Sequence, residues 1–342
     1  VQVSLIFTVK NEAEALPRLL DSIATQTRAP DEIIVVDGGS TDATLDVLHE
    51  RARTLPMHII SAPGANISQG RNIAIRAARG DIICATDAGV RLDPNWVAEL
   101  LAPFEGRKTK DERRKTEDEP SSSVLRPWSV DVVSGFFIPD PHSVFEIALA
   151  ATTLPVLRDI HPEKFLPSSR SVAFRKSAWE HVGGYPEWLD FCEDLIFDFA
   201  LRRAGFRFVF APRAIVYFRP RPTLRAFFKQ YYQYARGDGK ANLWLLRHII
   251  RYTTYLLALP LTLVLMLSGF WQLGLGILLF GSFGMFFTPY RRLVPMLRDL
   301  SWRDRLVALV WVPLIRITGD VAKMIGYPVG VVWRWKNRKG AR

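Results

Sequence analysis

EIIVVDGGSTD, residues 32 to 42, decides how the N-terminal part of the chain folds. Ile33 to Val36 are four consecutive branched apolar residues with no polar face, which suits a strand covered on both sides in a parallel sheet. Asp37 ends the run, Gly38 and Gly39 permit a tight turn, and Ser40 or Thr41 can cap a helix over about Asp42 to Arg53. Upstream, VSLIFTV (3 to 9) is a run of the same kind, followed by a helical pattern from about Glu12 to Thr25. Downstream, MHIIS (57 to 61), a helix over Ser68 to Ala78 and DIICATD (81 to 87) complete a βαβαβαβ series. Such alternation predicts an α/β fold built on a parallel sheet.

Ligands of open α/β sheets bind beyond the carboxyl ends of the strands. Three polar strand exits therefore converge on one expected cleft: Thr8-Val9-Lys10-Asn11-Glu12, Asp37 to Asp42, and Thr86-Asp87-Ala88-Gly89. Helix capping accounts for Ser40, Thr41 and Asp42 but not for a carboxylate at the tip of the strand, so Asp37 is a candidate to bind a base or ribose. Asp87 follows a buried run, where a charge is costly without a cation. Hard ions such as Mg²⁺ take one or two carboxylates plus diphosphate oxygens, which makes Asp87 a candidate metal ligand. Arg71, expected to begin a helix at the same edge, could reach a phosphate or serve in an ion pair. Glu193 and Asp194 open another helix after the Gly183-Gly184-Tyr185 loop, and a carboxylate at the end of such a loop can act as general base. Further strands are expected at VDVVSGFFI (130 to 138), within SRSVAFR (169 to 175), and at FRFVFAP (206 to 212) continued by AIVYF (214 to 218), with helices over Ser143 to Leu157 and Glu193 to Ala204.

Of 342 residues, 49% are hydrophobic and 23% charged, which excludes a disordered chain or a small disulfide scaffold. The net charge of +11 is unevenly placed. Residues 1 to 212 hold 24 basic and 30 acidic residues, residues 213 to 251 hold 9 and 1, and residues 291 to 342 hold 12 and 3. A basic C-terminal part beside an acidic N-terminal domain points to anionic membrane lipid and away from nucleic acid. Between the basic blocks, Tyr252 to Tyr290 is a run of 39 residues with no Asp, Glu, Lys, Arg or His. It divides at Ser268-Gly269 into two stretches of about 20 residues, the length of a membrane span. The expected topology is a two-span hairpin with both basic flanks in the cytoplasm. Leu306 to Trp333 carries Arg316, Asp320 and Lys323 and is expected to be re-entrant or interfacial. The aromatic, basic stretch around Gln230 and Tyr234 suits an interfacial anchor. The mixed-charge tract over 105 to 129 is expected to be a mobile surface insertion. No secretory signal is read at the N-terminus, so the first domain is expected in the cytoplasm, and Cys84 and Cys192 are expected as core or lining residues.

The ordered set TVKNE (8 to 12), VVDGGSTD (35 to 42), GRN (70 to 72), TDAG (86 to 89), VAFRKSAWEHVGGY (172 to 185) and ED (193 to 194) resembles glycosyltransferase family 2, inverting enzymes of GT-A fold, here in a membrane-attached bacterial form. The resemblance covers roughly residues 3 to 240. It implies an expected layout of a GT-A domain over 1 to 222, an interfacial helix over 223 to 251, the hairpin over 252 to 290, and membrane-associated helices with a basic tail over 291 to 342. It implies that Thr8, Asn11, Glu12, Asp37, Arg71, Asp87, Glu193, Gln230 and Tyr234 contact a nucleotide-diphosphate sugar or its acceptor. Asp194 would be the catalytic base, and Asp87 the ligand of Mg²⁺ or Mn²⁺. Gly89 stands where the family's Asp-x-Asp motif has its second acid. The Gln-x-x-Arg-Trp of processive synthases is replaced by Gln230-Tyr-Tyr-Gln233-Tyr234, which implies non-processive transfer to a lipid-linked or glycan acceptor. A polyprenyl-phosphate glycosyltransferase and a non-catalytic sugar-nucleotide-binding subunit remain open. A nucleotidyltransferase would need a glycine-rich loop after the first strand, and TVKNEAEA (8 to 15) has no glycine.

Overall fold

A computed structural model of the chain describes residues 1–106 and 130–337. The tract expected as an insertion over 105 to 129 falls, from residue 107 on, outside the described residues.

The chain divides into two compact units, the first comprising Val1–Ile138 and Leu157–Phe218. It opens with β1 (Val3–Val9), α1 (Leu16–Ala24), β2 (Glu32–Asp37), α2 (Thr44–Arg51), β3 (Met57–Ser61), α3 (Ile67–Ala77) and β4 (Ile82–Ala85). A helix begun at Glu12 would carry Pro17 in its interior, so α1 starts at Leu16 with Pro17 in its first turn. Strand β1 pairs in parallel with β2 and β4, and β2 with β3, so that Val9 lies opposite Asp37 and Asp37 opposite Ser61. This register brings the loops after β1, β2 and β3 out at one edge.

The parallel order ends there. Next come β5 (Val90–Leu92), α4 (Trp96–Leu101) and β6 (Val132–Pro139), then, past residues of the second unit, β7 (Val172–Arg175), α6 (Lys176–His181), α7 (Glu193–Arg203) and β8 (Phe208–Phe218). Strand β7 runs antiparallel between β4 and β6, and the sheet order is β3-β2-β1-β4-β7-β6-β8-β5. Alternate side chains feed two cores, Leu5, Phe7, Ile33 and Val35 on one face, Ile6, Ile34, Val36 and Phe174 on the other. Each such side chain contributes about 1.5–3 kcal/mol by leaving water. The covering on both faces explains why these strands read as unbroken apolar runs.

The second unit comprises Pro139–Val156 and Arg219–Arg342. It therefore takes in α5 (Val144–Thr153), which the sequence placed in a single domain over 1 to 222. Helix α5 packs Leu149 with Phe227 and Ile315, and Ala151 with Leu293 and Val312. Its fully buried Glu146 accepts hydrogen bonds from Arg219 Nε at 3.0 Å and Nη2 at 2.8 Å.

Helix α8 (Leu224–Ala241) begins at Thr223, whose side chain accepts from the Ala226 amide at 3.2 Å. The interfacial helix expected through residue 251 is interrupted: Asn242 and Trp244 both adopt left-handed backbone, which ends one helix and starts another. That next helix, α9 (Leu245–Thr253), continues through a π turn at Thr254–Ala258 into α10 (Leu259–Leu267). Pro260 has no N–H for the carbonyl of residue 256, and the backbone widens just before it. The first apolar helix thus starts at Leu245 rather than Tyr252 and carries Arg247, His248 and Arg251 in its opening turns. Gly269, at φ +95°, makes the expected turn into α11 (Trp271–Met296). Leu245–Leu267 and Trp271–Met296, 23 and 26 residues, are long and apolar enough to cross a membrane, with only 6% and 11% of their apolar windows buried. Their lengths correspond to about 35 and 39 Å.

Helix α12 (Trp302–Lys336) is one continuous 35-residue helix, which corrects the re-entrant alternative for Leu306 to Trp333. Ala308, Val312, Ile315, Gly319, Ala322, Gly326 and Gly330 recur every three or four residues and form its buried seam. Against α8 the seam is nearly backbone to backbone: a Cβ on Gly330 would lie 2.1 Å from the Arg236 carbonyl oxygen, and one on Gly239 would lie 2.3 Å from that of Tyr327. Gly330→Ala should therefore lower thermal stability in detergent by about 1–3 kcal/mol. Gly276→Ala, whose Cβ meets nothing within 4 Å, should leave it unchanged. Equal melting temperatures for the two variants would refute this reading of the seam.

Candidate active site

The strand exits of the first unit are laced to one another. Asn11, at φ +55°, donates its amide to Ser40 Oγ at 2.9 Å, and its Oδ1 accepts from the Thr41 amide at 2.8 Å. The Glu12 amide donates to Thr44 Oγ1 at 2.8 Å. Asp37, only 1% exposed, accepts from the amides of Gly39 at 3.0 Å and Ser40 at 3.1 Å, so its carboxylate closes the turn that follows it. Thr8 packs against α3, where a Cβ at Gly70 would lie 2.8 Å from Thr8 Cγ2. These contacts brace the strand-exit loops against one another.

Asn66 caps α3 and Gln69 returns the bond, a capping box. Arg71 accordingly lies inside the helix, not at its first residue as the sequence suggested, and it is 3% exposed. Its guanidinium spans two carboxylates, Nη1 at 2.7 Å from Glu193 Oε1 and Nη2 at 2.9 Å from Asp87 Oδ1. On its other side Asp87 places Oδ2 3.3 Å from Arg170 Nε. Arg170 is held in turn: its carbonyl accepts from Thr86 Oγ1 at 2.9 Å, and its guanidinium lies 4.6 Å from the Phe218 ring centroid.

Cys192, in left-handed backbone at φ +65°, turns the chain into α7 and delivers Glu193 and Asp194 together. The two carboxylates have different surroundings. Glu193 carries the Arg71 contact. Asp194 accepts at Oδ1 from the Leu195 amide at 2.9 Å and makes no ion pair among the described residues. Burial raises the pKa of Asp194, the Asp87 charge raises it further, and Arg71 opposes the rise. Glu193 is raised as well, by burial and by Asp194, with Arg71 again opposing. The two carboxyls are raised together, Glu193 to about 7, and titrate as a pair; they differ in geometry, since Glu193 alone is held by the guanidinium. One turn along α7, Asp198 is 3% exposed and raised well above the ordinary range by burial and by Asp194.

Three further residues support the cluster, Asn72 from the GRN motif and two that had not stood out in sequence. Asn72 Nδ2 donates to the Tyr185 carbonyl and to Glu187 Oε1, both at 2.9 Å, while its Oδ1 accepts from the Tyr185 amide at 2.9 Å and Trp179 Nε1 at 3.1 Å. It thereby fixes the loop from Gly183 to Glu187, beneath which lies a cleft of about 350 Å³. Arg170 and Asp198 are the others. Neither belongs to a local pattern with one reading: Arg170 precedes an antiparallel strand whose partners lie far away in sequence, and Asp198 sits in an ordinary helical repeat.

Gln230 and Tyr234 belong to the second unit, where Gln230 Nε2 donates to the Tyr234 hydroxyl at 2.9 Å along one face of α8. Cys84 is fully buried, which pushes its thiol up to about 12, and Cys192 is half-buried; both are free thiols.

Among the described residues no three His, Cys, Asp or Glu side chains cluster. Gly89 contributes no oxygen, and a Cβ there would meet open space. Asp87 is the carboxylate at this strand exit, and it lies between two guanidinium groups. It fits as the single protein ligand of a divalent ion whose remaining ligands are diphosphate oxygens and water.

Comparisons with known proteins agree with this architecture. The family model described as Glycosyl transferase family 2 matches residues 4–151, and that described as Glycosyl transferase family group 2 matches residues 161–333. The O-antigen chain rhamnosyltransferase of Salmonella typhimurium is 21% identical over 236 residues, 68% of this chain and 71% of that protein. The undecaprenyl-phosphate 4-deoxy-4-formamido-L-arabinose transferase of Pseudomonas fluorescens is 32% identical over 110 residues, 30% of this chain and 32% of that protein. A mannosyltransferase from Pyrobaculum calidifontis, solved with GDP-Man and Mn²⁺, has the same fold at TM-score 0.52 and 17% identity, covering 99% of this chain and 88% of that one.

Proposed function

The chain belongs to glycosyl transferase family 2 and is a glycosyltransferase, and from that premise we propose that it transfers one sugar, with inversion, from a nucleoside-diphosphate donor to a hydroxyl of a lipid-linked or glycan acceptor. One observation carries the reading: Asp194 is a half-buried carboxylate of raised pKa without an ion pair among the described residues, beside a Glu193 that has one. Two acids held apart in this way give one group free to take a proton and one committed to structure. As the acceptor oxygen bonds to the anomeric carbon, its proton passes to Asp194. The bond from that carbon to the diphosphate oxygen breaks with its electron pair going to the leaving group. Arg170, fixed beside Asp87 and partly exposed, faces the growing negative charge of the diphosphate, while the buried Arg71 holds Asp87 in place. The loops at 8 to 12 and 37 to 42 cradle base and ribose. A divalent ion held by Asp87 and the diphosphate would add Lewis-acid stabilisation of the leaving group.

The two long apolar helices support attachment to a membrane, and the basic residues at both outer ends favour a hairpin with those ends in the cytoplasm, at the inner membrane of a bacterial cell. The undecaprenyl-phosphate acceptor in the name of one relative supports a lipid-linked acceptor here. A transferase that uses lipid phosphate itself as nucleophile would need no base. Retention of activity in an Asp194→Asn variant would favour that second reading.

The test is a panel of nucleotide sugars offered to the full chain in lipid with membrane lipid extract, following nucleoside diphosphate release with Mg²⁺, Mn²⁺ or chelator. Release with one donor, dependent on extract, is expected; no release with any donor would refute turnover. With Asp87 as the one proposed protein ligand among the described residues, Mn²⁺ followed by electron paramagnetic resonance should bind at least about tenfold more tightly once nucleoside diphosphate is present. Tight Mn²⁺ binding without nucleotide would contradict the assignment.

A further inference from the structure

The second unit contains a charged cavity that the transfer chemistry does not use. It measures about 90 Å³, and Tyr231, Arg316, Asp320 and Lys323 supply most of its polar wall. Its anion is spoken for: Asp320, 5% exposed, accepts from Arg251 Nε at 2.7 Å and from the Tyr255 hydroxyl at 3.2 Å, and lies 3.3 Å from Arg316 Nε. Lys323 has no hydrogen-bond or ion-pair partner among the described residues, its Nζ resting 4.7 Å from the Tyr231 ring centroid. Three cations, Arg251, Arg316 and Lys323, thus face two carboxylates, Asp320 directly and Asp238 through His248, an excess of one positive charge where these helices meet. Elements held together by ion pairs alone would match their charges, because like charges crowded in a half-buried site repel with little screening.

We infer that this cavity is a phosphate site in which Lys323 and Arg316 bind the headgroup of a lipid monophosphate. The volume holds about three waters, room for a phosphate group and too little for a hexose. Planar guanidinium and ammonium donors are the usual partners of phosphate oxygens. Burial and repulsion from Arg251 and Arg316 hold the Lys323 pKa down to about 8, a penalty that a bound anion reverses. Assigning the phosphate to the acceptor lipid rests on the transferase reading above, whereas phosphate binding itself does not.

The experiment uses the full chain in phosphatidylcholine vesicles and measures binding of a long-chain isoprenyl monophosphate, with phosphatidylglycerol vesicles and inorganic phosphate as separate arms. Saturable binding of the monophosphate lipid is expected, weakened at least about tenfold in Lys323→Met and in Arg316→Gln and retained in Lys323→Arg. Inorganic phosphate bound with the same dependence on these variants would keep the phosphate site but assign it to a soluble source. Binding unaffected by both variants, absent for both phosphate probes, or equalled by phosphatidylglycerol would overturn the proposal. Nucleoside diphosphate binding by the same samples reports folding of the first unit. Phosphate binding without sugar transfer from any donor would sink the transferase reading while sparing this one.

Discussion

Asp194→Asn should lower kcat/KM by about 10²–10⁴-fold, the usual worth of a positioned general base, while nucleoside diphosphate binding stays within about twofold. Asn keeps the shape and can still accept from the Leu195 amide, so the substitution removes proton affinity and little else. The neighbouring acid cannot substitute, because Glu193 is turned toward Arg71 at 2.7 Å. The pH profile gives a second readout. Transfer needs Asp194 ionised, and burial with the nearby Asp87 charge raises its pKa, so activity should rise with pH along an acid limb displaced above the ordinary Asp range. The variant should lose that limb. An unchanged rate in Asp194→Asn, or a limb at the ordinary Asp value in the native protein, would remove Asp194 from the base role.

The same carboxylates mark how far the sequence could be read. The βαβ series was legible because its strands are apolar on both faces, and Asp37, Asp87, Glu193 and Asp194 lay where strands or loops end. Their partners were not. Arg71 looked like a helix-start phosphate arm because sequence does not show that Asn66 opens the helix five residues earlier, burying the guanidinium between acids 16 residues downstream and 122 residues downstream. Asp37 looked like an open acceptor because its closing of the Gly39-Ser40 turn depends on loop geometry. In the second unit, hydropathy marked the apolar hairpin. It missed the start at Leu245, since the charges at 247, 248 and 251 hid a helix fixed by the left-handed residues before it. Helix α5 joined the C-terminal helices for a reason periodicity does not carry, that small and apolar residues around most of its circumference suit several neighbours at once.

Arg71→Met should be the most destabilising single substitution in the first unit, by about 3–5 kcal/mol, because it leaves the buried acid Glu193 and the partly buried Asp87 without their shared cation. Arg71→Lys should recover only part of the loss, since one ammonium cannot span two carboxylates in the fixed fork of a guanidinium. Adding Glu193→Gln to Arg71→Met should restore stability, because a neutral amide no longer asks for the missing charge; the two changes share a network and should not add. The pH dependence follows in sign. Without Arg71, the folded-state pKa of Glu193, already raised by burial and by Asp194, rises further above its unfolded value, so the folded variant binds more protons and gains stability relative to the native protein as pH falls. The gap to the native protein should therefore be widest at neutral and alkaline pH and narrow in acid, which thermal denaturation across pH will measure. A gap of the same size at every pH would mean that Arg71 contributes packing against Tyr185, whose ring centroid lies 5.4 Å away, and that the ion pairs contribute little.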